Sequence, residues 1–235
     1  MSSLPTDVLK ENLASVQQRV EQAAVKSGRE AGDVRLIGVT KYVDAQLTRQ
    51  LVQAGCHCLG ESRPQVLWEK GARLQDLEVE WHLIGPLQRN KIRKTLLFAE
   101  YLHSCDSLKL LQAIDSVAAE TQRRVKCLLQ VNISGEAAKQ GFRPEEVEPA
   151  LRLIGEMDSI QLVGLMGMGS LHGDLVKRRN EFRQLRELQE ACQGSVGDNI
   201  TLTELSMGMS SDFEVAIEEG ATMVRVGSVL FDRLL

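Results

Sequence analysis

The sequence predicts an α/β protein folded as one TIM-type parallel barrel of eight strands, (β/α)8, with an extra helix before the first strand. Short apolar, β-branched runs alternate with segments of helical periodicity along the chain. No hairpin signature or Gly/Ser-rich linker separates them, so the strands pair in parallel through right-handed crossovers. The length of 235 residues, 43% of them hydrophobic, suits a single domain over 1–235 with a large core.

The first element is a helix over 6–28, where apolar residues recur at helical spacing, Thr6 or Asp7 caps the start and Gly28 ends the helix. The strand candidates that follow are 34–40, 56–59, 81–84, 101–103, 125–131, 161–165, 201–204 and 223–226. The helical patterns after them are 44–54, 64–74, 90–98, 107–121, 144–157, 174–193 and 212–219. A closed barrel is the natural arrangement of these units, and an open doubly wound sheet is the alternative.

Composition excludes several classes of function. The net charge of −4 comes from acidic and basic residues mixed along the chain, so no broad cationic face is available for nucleic acid. The amino end lacks the apolar core of a signal peptide, and no stretch is long enough to span a bilayer. We therefore expect a cytoplasmic protein with no membrane partner.

Five cysteines, an odd number without paired spacing, indicate a reducing compartment and mostly buried thiols. Cys56, His57 and Cys58 suggest a metal site, but strand alternation directs the two sulfurs to one face and the imidazole to the other. A structural zinc site also needs four ligands, usually with wider spacing within each pair. We expect a short strand with buried cysteines and no metal.

Lys41 follows the apolar run 34–40 and is the first candidate site residue. In α/β barrels the loops after the strands form the active face. A lysine removed from water has a lowered pKa, and its free amine can attack an aldehyde to form a Schiff base. A snorkelling surface lysine is the alternative interpretation.

Two segments near the carboxyl end have the composition of phosphate sites. Residues 206–212 form the loop that joins the seventh strand to a helix, and they offer small side chains, free backbone N–H groups and a helix amino terminus. Gly227, after the last strand, lets a phosphate approach the backbone. Strand alternation directs Arg225 toward the barrel axis or its mouth, where an arginine can face the ring nitrogen of a pyridine cofactor and keep it unprotonated. The alternative is an ordinary capped loop with a surface arginine.

Two other patterns are less specific. Residues 167–173 follow a strand and resemble a dinucleotide-binding turn, but the glycine spacing is one residue too long and no acidic strand end follows. His82 and His172 are possible bases. His82 lies inside the apolar run 81–84, which favours a hydrogen-bonded core histidine.

Six segments resemble the pyridoxal phosphate homeostasis protein family over nearly the whole chain. They are LIGVTK ending at Lys41, LGE ending at Glu61, WHLIGPLQRNK over 81–91, VNISGEAAKQG over 131–141, GLMGM over 164–168 and LSMGMSSDFEVAIEEGATMVRVGSVLF over 205–231. The resemblance implies a barrel like the amino-terminal domain of alanine racemase, with pyridoxal 5'-phosphate held as a Schiff base on Lys41. It implies that Ser210 and the backbone around Gly227 and Ser228 hold the phosphate, and that Arg225 faces the pyridine nitrogen.

The resemblance implies further cofactor-binding residues. Ser206 and Met207 would line the pocket, Met166 would lie at the end of the sixth strand, and Asn90 and Asn132 would lie at the mouth. No catalytic residue is implied, because the family lacks the second domain that supplies the opposing tyrosine in alanine racemase.

The function implied is a carrier that buffers or delivers pyridoxal phosphate in intracellular vitamin B6 homeostasis, with indirect effects on amino-acid and keto-acid pools. We expect a non-catalytic monomer with pyridoxal phosphate-dependent apoenzymes as recipients. A racemase or decarboxylase is one alternative, although it needs a second acid and the only tyrosines are Tyr42 and Tyr101. A phosphosugar-binding barrel is another. Ser62 and Asp232 depart from the family pattern, which leaves the affinity open.

Overall fold

The protein forms a closed barrel of eight parallel strands in sequence order. The computed structural model describes residues 5–136, 140–194 and 197–235. The strands are β1 Arg35–Val39, β2 Cys58–Glu61, β3 Glu80–Leu83, β4 Ala99–Cys105, β5 Val125–Val131, β6 Ile160–Gly167, β7 Ile200–Met209 and β8 Met223–Val226. The helices are α1 Pro5–Lys26, α2 Ala45–Gln53, α3 Pro64–Arg73, α4 Ile92–Thr95, α5 Leu108–Glu120, α6 Pro144–Ile154, α7 Leu175–Cys192 and α8 Phe213–Glu218. The predicted fold class is confirmed.

The barrel closes through parallel pairing of β1 with β8, in which Ile37 lies opposite Arg225 and Gly38 opposite Val226. The open-sheet alternative is therefore wrong. Closure brings the carboxyl ends of β1 and β8 together, so the residues after the first strand and those after the last form one surface.

Local sequence sets where several helices begin. Asp44, Ser107 and Asp174 accept hydrogen bonds from backbone N–H groups three residues later and cap α2, α5 and α7. Proline occupies the first position of α3 and α6, where its missing N–H has no intrahelical partner to lose. The extra helix α1 is held against the end of the chain because the Asn12 side-chain amide donates to the carbonyls of Leu230 and Asp232.

Apolar residues pack in two regions. The larger lies between the strands and the surrounding helices. The smaller lies inside the barrel and consists of Ile37, Tyr101, Leu128, Val163, Met166 and Met223, with Met168 packed against it. The barrel interior also contains buried polar side chains from β3, β4, β7 and β8.

Three predicted elements differ from those observed. Residues 206–209 belong to β7 and are not part of a loop, because they pair with β6 and β8 despite their small side chains. The helix predicted over 90–98 is a 3₁₀ turn, Arg89–Lys91, followed by the four-residue α4. The helix predicted over 212–219 is shorter, because α8 has only the six residues Phe213–Glu218.

All five cysteines are free, and four of them are buried while Cys58 is partly exposed. Within the described ranges, no helix is long and apolar enough to cross a membrane. The amino-terminal residues 1–4 and residues 137–139 of the VNISGEAAKQG motif lie outside the part of the chain that the structure describes.

Candidate functional site

A cavity of about 640 Å³ opens at the carboxyl ends of the strands. Its volume lies within the range of roughly 300–1,000 Å³ that is usual for small-molecule sites. Its lining residues come from both ends of the chain and from the strands between: Val39, Lys41, Tyr42, Ser62, Ile84, Gly85, Pro86, Ser104, Gln130, Gln140, Met168, Met209, Ser210, Ser211, Arg225, Gly227 and Ser228. The cavity thus brings together five of the site residues predicted from the sequence, which are Lys41, Ser210, Arg225, Gly227 and Ser228.

Lys41 is half-buried in the turn that follows β1, and its Nζ lies 4.9 Å from the centre of the Tyr42 ring. The neighbouring Thr40 is completely buried. Its carbonyl accepts a hydrogen bond of 2.7 Å from Lys70 Nζ, and its hydroxyl donates to Glu61 Oε1 at 2.6 Å. Lys70 Nζ also contacts Glu61 Oε1 at 2.5 Å. This buried ion pair anchors the backbone immediately before Lys41.

The two predicted phosphate segments meet at a direct contact. The N–H of Gly227 donates to Ser210 Oγ at 3.0 Å. Gly227 lies against β1, where an added Cβ would come within 3.3 Å of the Val39 carbonyl oxygen. Gly208 has a φ of +88°, and an added Cβ would lie 2.6 Å from the Ala216 Cβ. The end of β7, just before α8, therefore depends on a glycine at position 208.

Arg225 forms part of the cavity floor and is almost completely buried, with 5% of its surface exposed. Its Nη1 donates to Ser206 Oγ at 2.6 Å and its Nη2 to the carbonyl of Gly167 at 3.0 Å. Burial lowers the pKa of Arg225 to about 10, and Asp212 partly opposes this shift. Arg225 therefore remains a cation at neutral pH.

The other five predicted site residues do not line the cavity. Asn90 is exposed in a separate cleft, and the Asn132 side-chain amide donates to the Glu136 carbonyl. Met166 is buried inside the barrel, and Ser206 lies below the floor, where it contacts Arg225. Met207 packs in the apolar region between strands and helices, because strand alternation directs it away from Ser206. Their roles in binding stay predictions.

Sequence reasoning missed several cavity residues, including Ile84, Ser104 and Gln130. The Ser104 hydroxyl donates to the Gly85 carbonyl, and the Gln130 side-chain amide donates to the Gln140 carbonyl at 2.9 Å. A signal for Gln130 existed, since it is a polar residue near the end of an otherwise apolar strand. His82 is completely buried and hydrogen-bonded on both ring nitrogens, so the prediction of a core histidine is confirmed.

The charge of the cavity favours an anionic ligand. Among the lining residues within the described ranges, Lys41 and Arg225 are cationic and none is acidic. The hydroxyl groups of Ser210, Ser211 and Ser228 add hydrogen-bonding groups, while Val39, Ile84 and Met168 provide apolar walls. The site thus combines a primary amine, an arginine and small polar groups that suit a phosphate on a largely apolar body.

The fold and this site define a class of barrel. Residues 6–233 match the family model described as alanine racemase, N-terminal domain. The structure is also similar to alanine racemase of Clostridium difficile, with a TM-score of 0.73 and 16% identity, over 96% of this chain and 55% of that one. At this identity the likeness concerns the fold alone.

Other relatives are more similar in sequence, and the matches extend over almost the full length of this chain and of each relative. The pyridoxal phosphate homeostasis protein of Aquifex aeolicus is 37% identical over 221 residues, which are 94% of this chain and 96% of that protein. PipY of Synechococcus elongatus, solved with PLP bound, has a TM-score of 0.83 and 35% identity, covering 95% of this chain and 99% of that chain. The chain belongs to the pyridoxal phosphate homeostasis protein family.

Proposed function

We propose that this single-domain barrel binds pyridoxal 5'-phosphate through a Schiff base to Lys41 and buffers or delivers it without catalysing a reaction of its own. The observation that carries the proposal is one cavity lined by Lys41, Arg225, Ser210 and Ser228, with no acidic group among its described lining residues. Recipient apoenzymes, a monomeric state and a cytoplasmic location are parts of the same proposal.

The residues present fit this cofactor. Ser210, the backbone at Gly227 and Ser228 would hold the phosphate, and Gly227 lies so close to β1 that a Cβ there would make a tight contact with the Val39 carbonyl oxygen. Arg225 would face the pyridine nitrogen. As a buried cation that only donates hydrogen bonds, it favours the unprotonated ring, which is a weaker electron sink than the protonated ring. Carrying the cofactor is therefore favoured over carbanion chemistry.

The bound cofactor supplies an aldehyde, which condenses reversibly with a primary amine. Lys41 would supply this amine, and the condensation would release one molecule of water. The ion pair of Lys70 with Glu61 holds the preceding residue, Thr40, so that the amine is kept at the cavity wall. A covalent bond that water can reverse suits a protein that holds a reactive aldehyde and later releases it.

Borohydride reduction of the loaded protein, followed by peptide mass analysis, tests the proposal. We expect one reduced pyridoxyl adduct on Lys41 and a visible absorbance band that Lys41→Ala abolishes. Lys10→Ala, at an exposed lysine of α1 outside the cavity, is the control and should keep both. An unchanged spectrum and adduct yield in Lys41→Ala would overturn the proposal.

A racemase-type enzyme is the second candidate, since Tyr42 lines the cavity and its ring centre lies 4.9 Å from Lys41 Nζ. Two-base racemisation needs an acid on the face of the cofactor opposite the lysine. Incubation of the loaded protein with single-enantiomer amino acids in deuterated water separates the candidates. Negligible exchange of the α-proton supports the carrier, and rapid exchange that Tyr42→Phe reduces supports the enzyme.

A further inference from the structure

A continuous hydrogen-bond chain crosses the barrel interior from the cavity floor to the opposite rim. Arg225 Nη1 contacts Ser206 Oγ at 2.6 Å, and Ser206 Oγ contacts His103 Nδ1 at 2.8 Å. His103 Nε2 lies 2.8 Å from His82 Nδ1, and His82 Nε2 lies 2.9 Å from Glu80 Oε1. Four strands supply these five residues, hereafter called the hydrogen-bond chain.

The interior of the hydrogen-bond chain is dry, whereas its far end reaches water. Ser206, His82 and His103 have no exposed surface, and the Glu80 side chain is 31% exposed at the start of β3. The His82 ring stacks on Tyr101 with centroids 4.6 Å apart. A buried polar group without a partner is costly, so each polar hydrogen in the hydrogen-bond chain needs an acceptor.

The two ends determine the direction of every bond between them. Arg225 can only donate, and Glu80 is an acceptor at neutral pH, because hydrogen bonding from His82 lowers its pKa to about 2. Burial lowers the pKa of both histidines, so each is neutral with one N–H group. Ser206 accepts from Arg225 and donates to His103 Nδ1. The histidines must then carry their protons on Nε2, so that His103 donates to His82 and His82 donates to Glu80.

We propose that His82 and His103 are positioning residues for Arg225, an inference that rests on the proposed function of the cavity. With both rings in the Nε2-protonated form, the Ser206 hydroxyl hydrogen points away from Arg225. Ser206 Oγ then serves Arg225 purely as an acceptor. The hydrogen-bond chain and the Gly167 carbonyl together orient the guanidinium toward the ring nitrogen of the bound cofactor.

A bound metal ion would require the opposite arrangement. The ligand atoms of Cys58, Glu80 and His82 lie within 4.8 Å of one another. A metal ion on His82 Nε2 would force the His82 proton onto Nδ1. His82 would then donate to His103 and His103 would donate to Ser206, which is the reverse of the direction deduced above. The Ser206 hydroxyl hydrogen would then face the donating Arg225, with no acceptor among the described residues that bond its side chain. The geometry therefore favours a proton, and not a metal ion, on His82 Nε2.

Nitrogen-15 NMR of the histidine-labelled apoprotein at neutral pH tests the assignment without any cofactor. We expect Nε2-protonated, neutral rings for both His82 and His103, identified by removing the other two signals with His57→Gln and His172→Gln. Glu80→Leu should convert the single form of each ring into a mixture of tautomers. An Nδ1-protonated ring or an imidazolium at either position, or stoichiometric zinc in the purified protein, would overturn the inference.

The effect on the cavity is tested with the loaded protein. Ser206→Ala removes the acceptor of Arg225, and we expect about tenfold weaker affinity for pyridoxal phosphate, the loss of one hydrogen bond to a charged group, with a shifted visible band. Ser206→Thr keeps a hydroxyl and should restore both. Tyr101→Phe, which preserves the ring stacked on His82, is the control and should behave like the wild type.

The two proposals fail in different ways. A folded Ser206→Ala variant with unchanged affinity and spectrum would overturn the positioning role, and so would an equal effect of Tyr101→Phe. The proposed function fails separately, when Lys41→Ala leaves the adduct and spectrum of the loaded protein unchanged. The tautomers measured in the apoprotein decide the direction of the hydrogen-bond chain in either case.

Discussion

Replacing Lys70 by methionine should strongly destabilise the protein, because Lys70 is the only cation in direct contact with the fully buried carboxylate of Glu61 among the described residues. The variant loses hydrogen bonds to Glu61 and to the Thr40 carbonyl, while the other Glu61 oxygen has no hydrogen-bond partner among the described residues. Leaving a buried charge without its partner costs about 3–5 kcal/mol. We expect the free energy of unfolding to fall by this amount.

Urea unfolding of the apoprotein, followed by circular dichroism at pH 7, measures the loss. The double variant Lys70→Met with Glu61→Gln removes the unpaired charge and should recover more than half of it. Arg152→Met breaks an exposed pair with Glu148 and should cost at most about 1 kcal/mol. A loss in Lys70→Met no larger than that of Arg152→Met would refute the reasoning.

Two other predictions concern stability. Burial lowers the pKa of His82 and His103 from 6.5, so below pH 6.5 the unfolded chain binds more protons than the folded protein. The free energy of unfolding should therefore fall with decreasing pH, by up to about 1.4 kcal/mol per pH unit for each histidine. A free energy of unfolding in urea that stays constant between about pH 6.5 and 5 contradicts this prediction. Gly164→Ala places a Cβ 1.8 Å from the Glu204 carbonyl oxygen and should cost about 3 kcal/mol or more. Gly32→Ala serves as the control, because its Cβ would meet no atom of the described residues within 4 Å.

The barrel could be predicted because its strands and helices have strong local signals. The run 34–40 has the β-branched, apolar composition of a buried strand, and Asp44, Ser107 and Asp174 are good caps. The sequence places residues 206–209 in a loop, which is wrong, because serine and glycine have low strand propensity. Pairing with two neighbouring strands overrides that preference, which a single-sequence pattern cannot show.

The candidate site was predicted only in part. Lys41, Arg225 and Gly227 are found by their positions at strand ends, and barrel closure brings them to one cavity. Met207 was expected in the pocket, although alternation with Ser206 turns it into the apolar region outside the barrel. Ile84 and Ser104 were missed because nothing in their local sequence distinguishes them from ordinary strand residues.

The amino-acid sequence alone determined the eight-stranded barrel, the family and the lysine that follows the first strand, because periodicity, caps and motifs are local properties of the chain. Only the tertiary structure decided that Glu80, His82, His103, Ser206 and Arg225 form one hydrogen-bond chain. The physical reason is that these residues lie up to 145 positions apart in the chain. The link between His103 on β4 and Ser206 on β7 joins two strands that do not pair with each other, so it forms only across the interior of the closed barrel.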